Sequence, residues 1–404
     1  MSFELIENPK NADEKKKLDL SFINETVAKK AQTFHSSFPQ YKETPLCELK
    51  NLAGQLGVKN IFVKDESFRF GLNAFKVLGG SYAIGNYIAE KLGKDISEIS
   101  FEKITSEETR ELIGKTTFIS ATDGNHGRGV AWTANQLKQG CVIYMPKGSA
   151  LERLNNIKAE NAEASITDLN YDDAVRLAAK DAEEKGWVMV QDTSWPGYEK
   201  IPTWIIQGYS TLALEIFQQL GGTDGIRPTH IFLQAGVGSF ATSMTGFFSS
   251  VYGDQKPVIT IVEPDNAACV FKTIKADDGE IHSVKGDMKT IMAGLACGEP
   301  VTVGIDVLRN YADFFASCPD YFAADGMRVL AATAKGDEKV VSGESGAAGF
   351  GCAYEILTDS SLSDVKEKLG INEDSVLLFI STEGDTDKEN YKKIVWNGGY
   401  SNAK

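Results

Sequence analysis

Short apolar runs alternate along the chain with longer stretches in which apolar residues recur at helical spacing, a pattern that predicts strands and helices in alternation. Residues 24–30 favour helix, and Thr44-Pro45 reads as a cap followed by proline in a first turn, predicting a helix over 46–56. A strand is expected over 60–64, then a helix beginning around Gly79-Gly80 and running toward Leu92. Residues 94–115 are rich in Glu, Lys, Ser and Thr and carry no sustained core pattern, which predicts an exposed insertion with a helix or two. Beyond a β-like run at 116–118, strands over 141–145, 164–167 and 187–191 alternate with helices over 152–161 and 172–185. Turn residues from Gln191 to Gly197 break the alternation and mark a domain boundary. It then resumes with a helix over 203–220, a strand over 229–233, a helix over 239–252 and a strand over 258–262. Helices follow near Ala267, Asp306, Tyr321 and Ala347, before a last strand over 376–380. Strands spaced by helices of this length imply βαβ units: an α/β fold with mostly parallel twisted sheets flanked by helices. No fixed-period repeat is present.

Composition narrows the class. A chain of 404 residues is long enough for two or three domains. A formal charge of −14, with no Lys/Arg-rich block, argues against a nucleic-acid partner. No apolar run is long enough to span a bilayer, and the first residues lack a charged and then apolar leader, so no membrane partner and a cytoplasmic location are expected. Six cysteines lie far apart without CxxC spacing and read as buried small hydrophobes. Four histidines also lack ligand spacing, so no metal site is expected.

The chemistry gathers in four stretches. Residues 119–129 run Ile-Ser-Ala-Thr-Asp-Gly-Asn-His-Gly-Arg-Gly between a strand and a helix start. A capped turn needs one such polar residue, whereas a loop binding a ligand at a helix N-terminus accounts for the unbroken run of polar and glycine positions from Thr122 to Gly129. Gly236-Val237-Gly238-Ser239 follows a predicted strand and opens a helix, a phosphate cradle in geometry. With Ala241 and the acid Glu263 it also satisfies a dinucleotide fingerprint, so a nicotinamide-dependent dehydrogenase competes, as does simple strand-to-helix packing. Lys76, between Phe75 and Val77, is either a snorkelling surface lysine or a desolvated amine of lowered pKa suited to a Schiff base. A nicotinamide enzyme has no need of the second. Thr382-Glu383-Gly384-Asp385 follows an apolar strand, where its hydroxyl either caps a helix or meets a heteroaromatic nitrogen.

Together these stretches resemble the fold-type II pyridoxal-phosphate enzymes, which include serine and threonine dehydratases. Asn73 to Gly80 is similar to their lysine segment, Thr122 to His126 to their substrate loop, and Gly236 to Ser239 to their phosphate loop. Thr382 stands where they carry a hydroxyl residue, and the order and separation fit from Thr44 to Asp387. Ala121 to Gly129, with Gln191-Asp192-Thr193-Ser194-Trp195 and Gly197 to Pro202, most resembles the diaminopropionate ammonia-lyase branch; Asp123 is the departure from ordinary dehydratases.

The resemblance implies that Lys76 holds pyridoxal 5'-phosphate as a Schiff base beside Phe75, that Asn125 contacts the ring hydroxyl, that Gly236, Val237, Gly238 and Ser239 bind the phosphate, and that Thr382 meets the pyridine nitrogen. Thr122, Asp123, His126 and Asp192 are expected around the substrate, with Lys76, Asp123 and Asp192 catalytic. A carboxylate at Asp123 suits a substrate bearing a β-ammonium group, since an anion both recognises a leaving amine and helps protonate it. The implied reaction is α,β-elimination of 2,3-diaminopropionate to pyruvate and two ammonia. Use of both enantiomers needs bases on opposite faces, Lys76 for the L-isomer and Asp123 for the D-isomer. A serine/threonine dehydratase-like lyase is the alternative within the family. The family also implies a homodimer, with residues 1–86 and 193–404 forming a large cofactor-binding domain and 87–192 a small mobile one.

Overall fold

A computed structural model describes residues 3–10 and 17–402. Strands β1 (Glu4–Glu7), β2 (Leu46–Glu48) and β3 (Asn60–Asp65) open the chain. β4 (Thr117–Ala121), β5 (Gly140–Met145), β6 (Glu163–Ile166) and β7 (Val188–Met189) then form a separate parallel sheet of order β6-β5-β4-β7. β8 (His230–Gln234), β9 (Val258–Pro264), β10 (Phe314–Cys318) and β11 (Val376–Ser381) return to the first sheet, whose order is β1-β10-β9-β8-β11-β3-β2. The four-stranded sheet is thus an insertion between β3 and β8.

Every pairing in the interior of the larger sheet is parallel, and only the edge strands β1 and β2 run antiparallel to their neighbours. A central parallel strand is covered on both faces, so it reads as a continuous apolar run. β11, Val-Leu-Leu-Phe-Ile-Ser, is buried throughout.

The structure corrects the expectation of one helix over 46–56. Leu46–Glu48 pairs with β3 instead, the Asp65 N–H bonds the Pro45 carbonyl, and the helix occupies Lys50–Leu56. Proline at a strand start costs no ladder bond, and that option wins over the helical first turn. β1 and β10 lie where no strand was expected. The segment 94–115 does form two short helices, Phe101–Thr105 and Glu107–Ile113, but it buries Ile96, Ile99 and Ile104 against the core.

Helix Val77–Lys91 packs on helix Lys200–Gln219 at very short range, because a Cβ on Gly208 would fall 2.4 Å from the Leu78 carbonyl oxygen. Beneath this contact lies a fully buried ion cluster. Arg69 donates through Nη2 to Glu66 (2.8 Å) and Glu215 (2.7 Å), and Lys64 Nζ lies 2.7 Å from Glu215. The cluster ties the end of β3 to helix Lys200–Gln219 and so fixes the segment that leads to Lys76. All six cysteines are free and buried, and no helix among the described residues is long and apolar enough to cross a membrane.

Candidate active site

The loops after β4, β8 and β11 converge at the carboxyl edges of the two sheets, where open α/β sheets bind ligands. Between them lies a cavity lined by Phe75, Lys76, Thr122, Asp123, Asn125, His126, Asp192, Gly236, Val237, Gly238, Ser239 and Thr382. Every site residue singled out from the sequence is therefore brought together.

Lys76 is held by the loop that follows β11. Asn73 adopts the left-handed conformation (φ 61°), its carbonyl accepts from the Gly384 N–H (3.0 Å) and its side chain donates to Asp385 (3.0 Å). The Phe75 N–H bonds the Thr382 carbonyl (3.1 Å), and the Phe75 ring packs on Tyr209 and Phe240. Lys76 comes just before helix Val77–Lys91, against which the backbone of Gly129 packs: a Cβ on Gly129 would lie 2.7 Å from the Val77 Cα.

The amine of Lys76 donates to Asp192 Oδ2 at 2.5 Å. Burial works to lower the lysine pKa, but the charge of Asp192 and its hydrogen bond carry it above its ordinary value. This corrects the expectation of a lysine left neutral by its apolar neighbours: desolvation acts as foreseen, but Asp192, expected near the substrate, pairs with the lysine and outweighs it. Asp192 in turn is held below the usual carboxylate range; burial opposes this, and the charge of Lys76 with the hydrogen bonds from Lys76 and Tyr171 overcomes it. Its other oxygen accepts from Tyr171 (3.2 Å) and Gln191 (3.1 Å). His126 Nε2 lies 2.7 Å from the Val190 carbonyl, so that nitrogen carries the proton. Burial lowers the pKa of the ring and keeps it neutral, leaving Nδ1 unpartnered 4.0 Å from Asp192.

Asp123 lies in a different environment. Arg153 Nη1 donates to its Oδ2 at 3.2 Å, and burial raises its pKa against the pull of Arg153 and Lys76. Thr122 Oγ1 accepts the Gly124 and Gly127 N–H groups at 2.9 and 3.1 Å, so this hydroxyl shapes the loop that presents Asp123. Asn125 donates to Glu383 Oε2 at 2.5 Å. Glu344 does not line the cavity; it receives Asn390 and stands behind Arg153.

The cavity fits pyridoxal phosphate. Gly238 has φ +101° and caps helix Ser239–Tyr252, whose first N–H groups have no carbonyl behind them. A Cβ on Gly236 would crowd the Gly294 carbonyl (3.1 Å) and Cys297 Sγ (3.2 Å), so glycine keeps that wall open. Thr382 Oγ1 accepts from Gln234 Nε2 at 2.9 Å, which leaves the threonine proton free to be donated. The nicotinamide alternative loses its ribose-binding acid: Glu263 is fully buried and accepts the Val270 (2.8 Å) and Phe271 (2.6 Å) N–H groups. Arg153, Tyr171, Gln234 and Glu383 were not foreseen. Each lies outside the glycine-bearing motifs or acts beside a motif residue, and nothing in the local pattern marks it.

A lysine aimed into this cavity, a glycine phosphate cradle and a hydroxyl donor across from it define a pyridoxal-phosphate enzyme of fold type II. The profile of the family described as pyridoxal-phosphate dependent enzyme matches residues 38–381. The chain is 51% identical over 380 residues to the diaminopropionate ammonia-lyase of Salmonella typhimurium, covering 94% of each. The Escherichia coli diaminopropionate ammonia-lyase solved with D-serine superposes with a TM-score of 0.91 at 47% identity, over 99% of this chain and 98% of that one. The same enzyme solved with an aminoacrylate-PLP azomethine reaction intermediate gives a TM-score of 0.90 at 47% identity and the same coverage. The chain belongs to the pyridoxal-phosphate dependent enzymes and, among them, to the diaminopropionate ammonia-lyases. It is a carbon–nitrogen lyase with pyridoxal phosphate as cofactor.

Proposed function

We propose that the chain eliminates ammonia from both enantiomers of 2,3-diaminopropionate, and that water then converts the released enamine to pyruvate and a second ammonia. The carrying observation is that Lys76 and Asp123, two groups able to take a proton, face one cavity with separate charged partners, Asp192 and Arg153. When bound, pyridoxal phosphate supplies the electron sink for cleavage at the α-carbon. The amide groups of Gly236, Val237, Gly238 and Ser239 hold its phosphate, Phe75 lies beside Lys76, and Thr382 donates its hydroxyl proton to the ring nitrogen. A hydroxyl there does not protonate that nitrogen as a carboxylic acid would, which favours expulsion of a β-leaving group over a long-lived carbanion. Asn125 donates its amide N–H to Glu383, which leaves its amide oxygen as the group that would accept from the ring hydroxyl.

Lys76 Nζ, which in the free protein holds its proton against Asp192 and acts as a base only after shedding it, takes the α-proton of the L-isomer, and Asp192 pairs with the ammonium so formed. Asp123 takes the α-proton of the D-isomer and attracts the β-ammonium group. His126 and Thr122 line the substrate side, the first neutral and the second fixing the loop. Residues 87–192 form a small domain that closes over the substrate and excludes water, residues 1–86 and 193–404 the large one, and the protein works as a cytoplasmic homodimer. The boundary at 86/87 falls inside helix Val77–Lys91, which makes that helix the rigid arm of the motion.

The experiment is ammonia and pyruvate release from D- and L-diaminopropionate by wild type and Asp123→Asn. Loss of D-isomer turnover by about 10²-fold or more, with the L-isomer retained to a greater extent, supports the division. Equal loss on both isomers sinks it.

A further inference from the structure

Asp123 is aimed by a residue that no motif marks. Arg153 lies on helix Leu151–Lys158, whose Leu154 and Ile157 are buried, and its side chain is 5% exposed. Its stem passes over Gly124: a Cβ there would come within 2.9 Å of Arg153 Cδ. The glycine next to Asp123 is therefore required by the arginine as well as by the turn. Nη1 donates to Asp123 at 3.2 Å, Nη2 stands 3.8 Å from Glu344 and 3.8 Å from Glu383, and Nε is buried without a partner. The two glutamates are anchored elsewhere, Glu344 by Asn390 and Glu383 by Asn125, Thr386 and the Ser345 N–H. They belong to the part of the chain that carries the larger sheet, while Asp123 and Arg153 follow β4 and β5 of the smaller one.

Arg153 is absent from the cavity wall, and of the two wall carboxylates beside it, Asp123 and Glu383, only Asp123 accepts its hydrogen bond. A guanidinium ringed by three carboxylates has its charge already claimed and is not a receptor for the substrate carboxylate. Its effect on Asp123 is to fix the rotamer and to oppose the rise in pKa that burial imposes. We propose that Arg153 is a positioning residue that holds the Asp123 carboxylate ionised and directed into the cavity, and so sets how well the D-isomer is used relative to the L-isomer. This rests on the reading of Asp123 as the D-isomer base.

The test uses Arg153→Met and Arg153→Lys, with Asp123→Asn alongside. The first readout is the ratio of kcat/KM for the two isomers. The second is the carboxyl ¹³C titration of Asp123 in cofactor-free protein, assigned by the signal that Asp123→Asn removes. The charged groups facing Asp123 are Lys76, Arg153, Glu383 and Asp192, with Glu344 behind the guanidinium, and only Arg153 is changed. Arg153→Met is expected to lower the D/L ratio about tenfold or more and to move the Asp123 titration to higher pH. Arg153→Lys, which keeps the charge and loses the fork, falls between. An unchanged ratio and an unmoved titration overturn the proposal. Should the Met variant not fold, a wild-type D/L ratio in Arg153→Lys overturns it equally. If Asp123→Asn costs both isomers alike, the base assignment fails; if it is D-selective while Arg153→Met is not, only the role of Arg153 fails.

Discussion

Two buried arginines, each ringed by carboxylates, do opposite work in this fold. Around Arg69 the charges balance, Arg69 and Lys64 against Glu66 and Glu215, and all four side chains are fully buried. Arg69 donates through Nε, Nη1 and Nη2 at 2.7 to 3.3 Å, and Thr44 fills the remaining space. Around Arg153 one guanidinium faces three carboxylates, contacts stretch from 3.2 to 3.8 Å, and Nε has no partner. A saturated, neutral network resists any change in protonation, because each change strands a buried charge. An unsaturated one with excess negative charge can take up a proton cheaply, which a base must do at every turnover.

The sharpest way to break this contrast is to remove one carboxylate from each cluster. Glu215→Gln strands Arg69 and Lys64 and is expected to cost about 3–5 kcal/mol in urea unfolding of the cofactor-free protein. Asp123→Asn leaves Arg153 with two carboxylates, and in the same assay it is expected to cost about 1 kcal/mol or less. Comparable losses would mean that both clusters are structural. Between the two lies Asp192→Asn, which strands the Lys76 ammonium; since Lys76 is 18% exposed, a loss of about 2–3 kcal/mol is expected, with turnover reduced on both isomers.

Acidity separates the clusters more gently. Burial works to raise the pKa of Glu215, but Arg69 and Lys64 bring it from 4.5 down to about 2. The stability it contributes is complete above pH 4.5 and is lost as pH falls toward 2. Glu344 goes the other way: burial, reinforced by Glu383, pushes it from 4.5 up to about 7 against Arg153. It binds its proton more tightly folded than unfolded, so a destabilising contribution is absent below pH 4.5 and grows as pH rises through 7. Urea midpoints measured from pH 3 to 8 should show Glu215→Gln flattening the acid limb and Glu344→Gln flattening the neutral one. Exchanged effects would reverse the assignment.

What the sequence disclosed and what it hid follow the same division. Loop residues carrying chemistry were legible because their backbone needs leave marks: glycines where the chain must approach a ligand, and a lysine out of place among apolar neighbours. All of them line one cavity. How their charged groups pair was not legible: Asp192 was expected in the site, but its contact with Lys76 spans 116 positions, and Asn125 meets Glu383 across 258. The effect of Asp192 on Lys76 therefore reversed the expected pKa shift. In the fold, the other interior parallel strands of the larger sheet were found, but β10, buried and paired in parallel with β9, was missed, and so were the short edge strands β1 and β2, whose few residues carry no pattern distinguishable from loop or helix start.

The place of β11 has a consequence for how the protein is made. It follows every other described strand in the chain, yet it lies between β8 and β3 in the middle of the larger sheet, and the loop after it supplies Thr382 and pins the segment before Lys76. Until it emerges from the ribosome, β3 and β8 have exposed inner edges, and Lys76 stands on an unfixed loop. A product that stops short of β11 lacks Thr382 and leaves an open sheet edge exposed to aggregation and proteolysis.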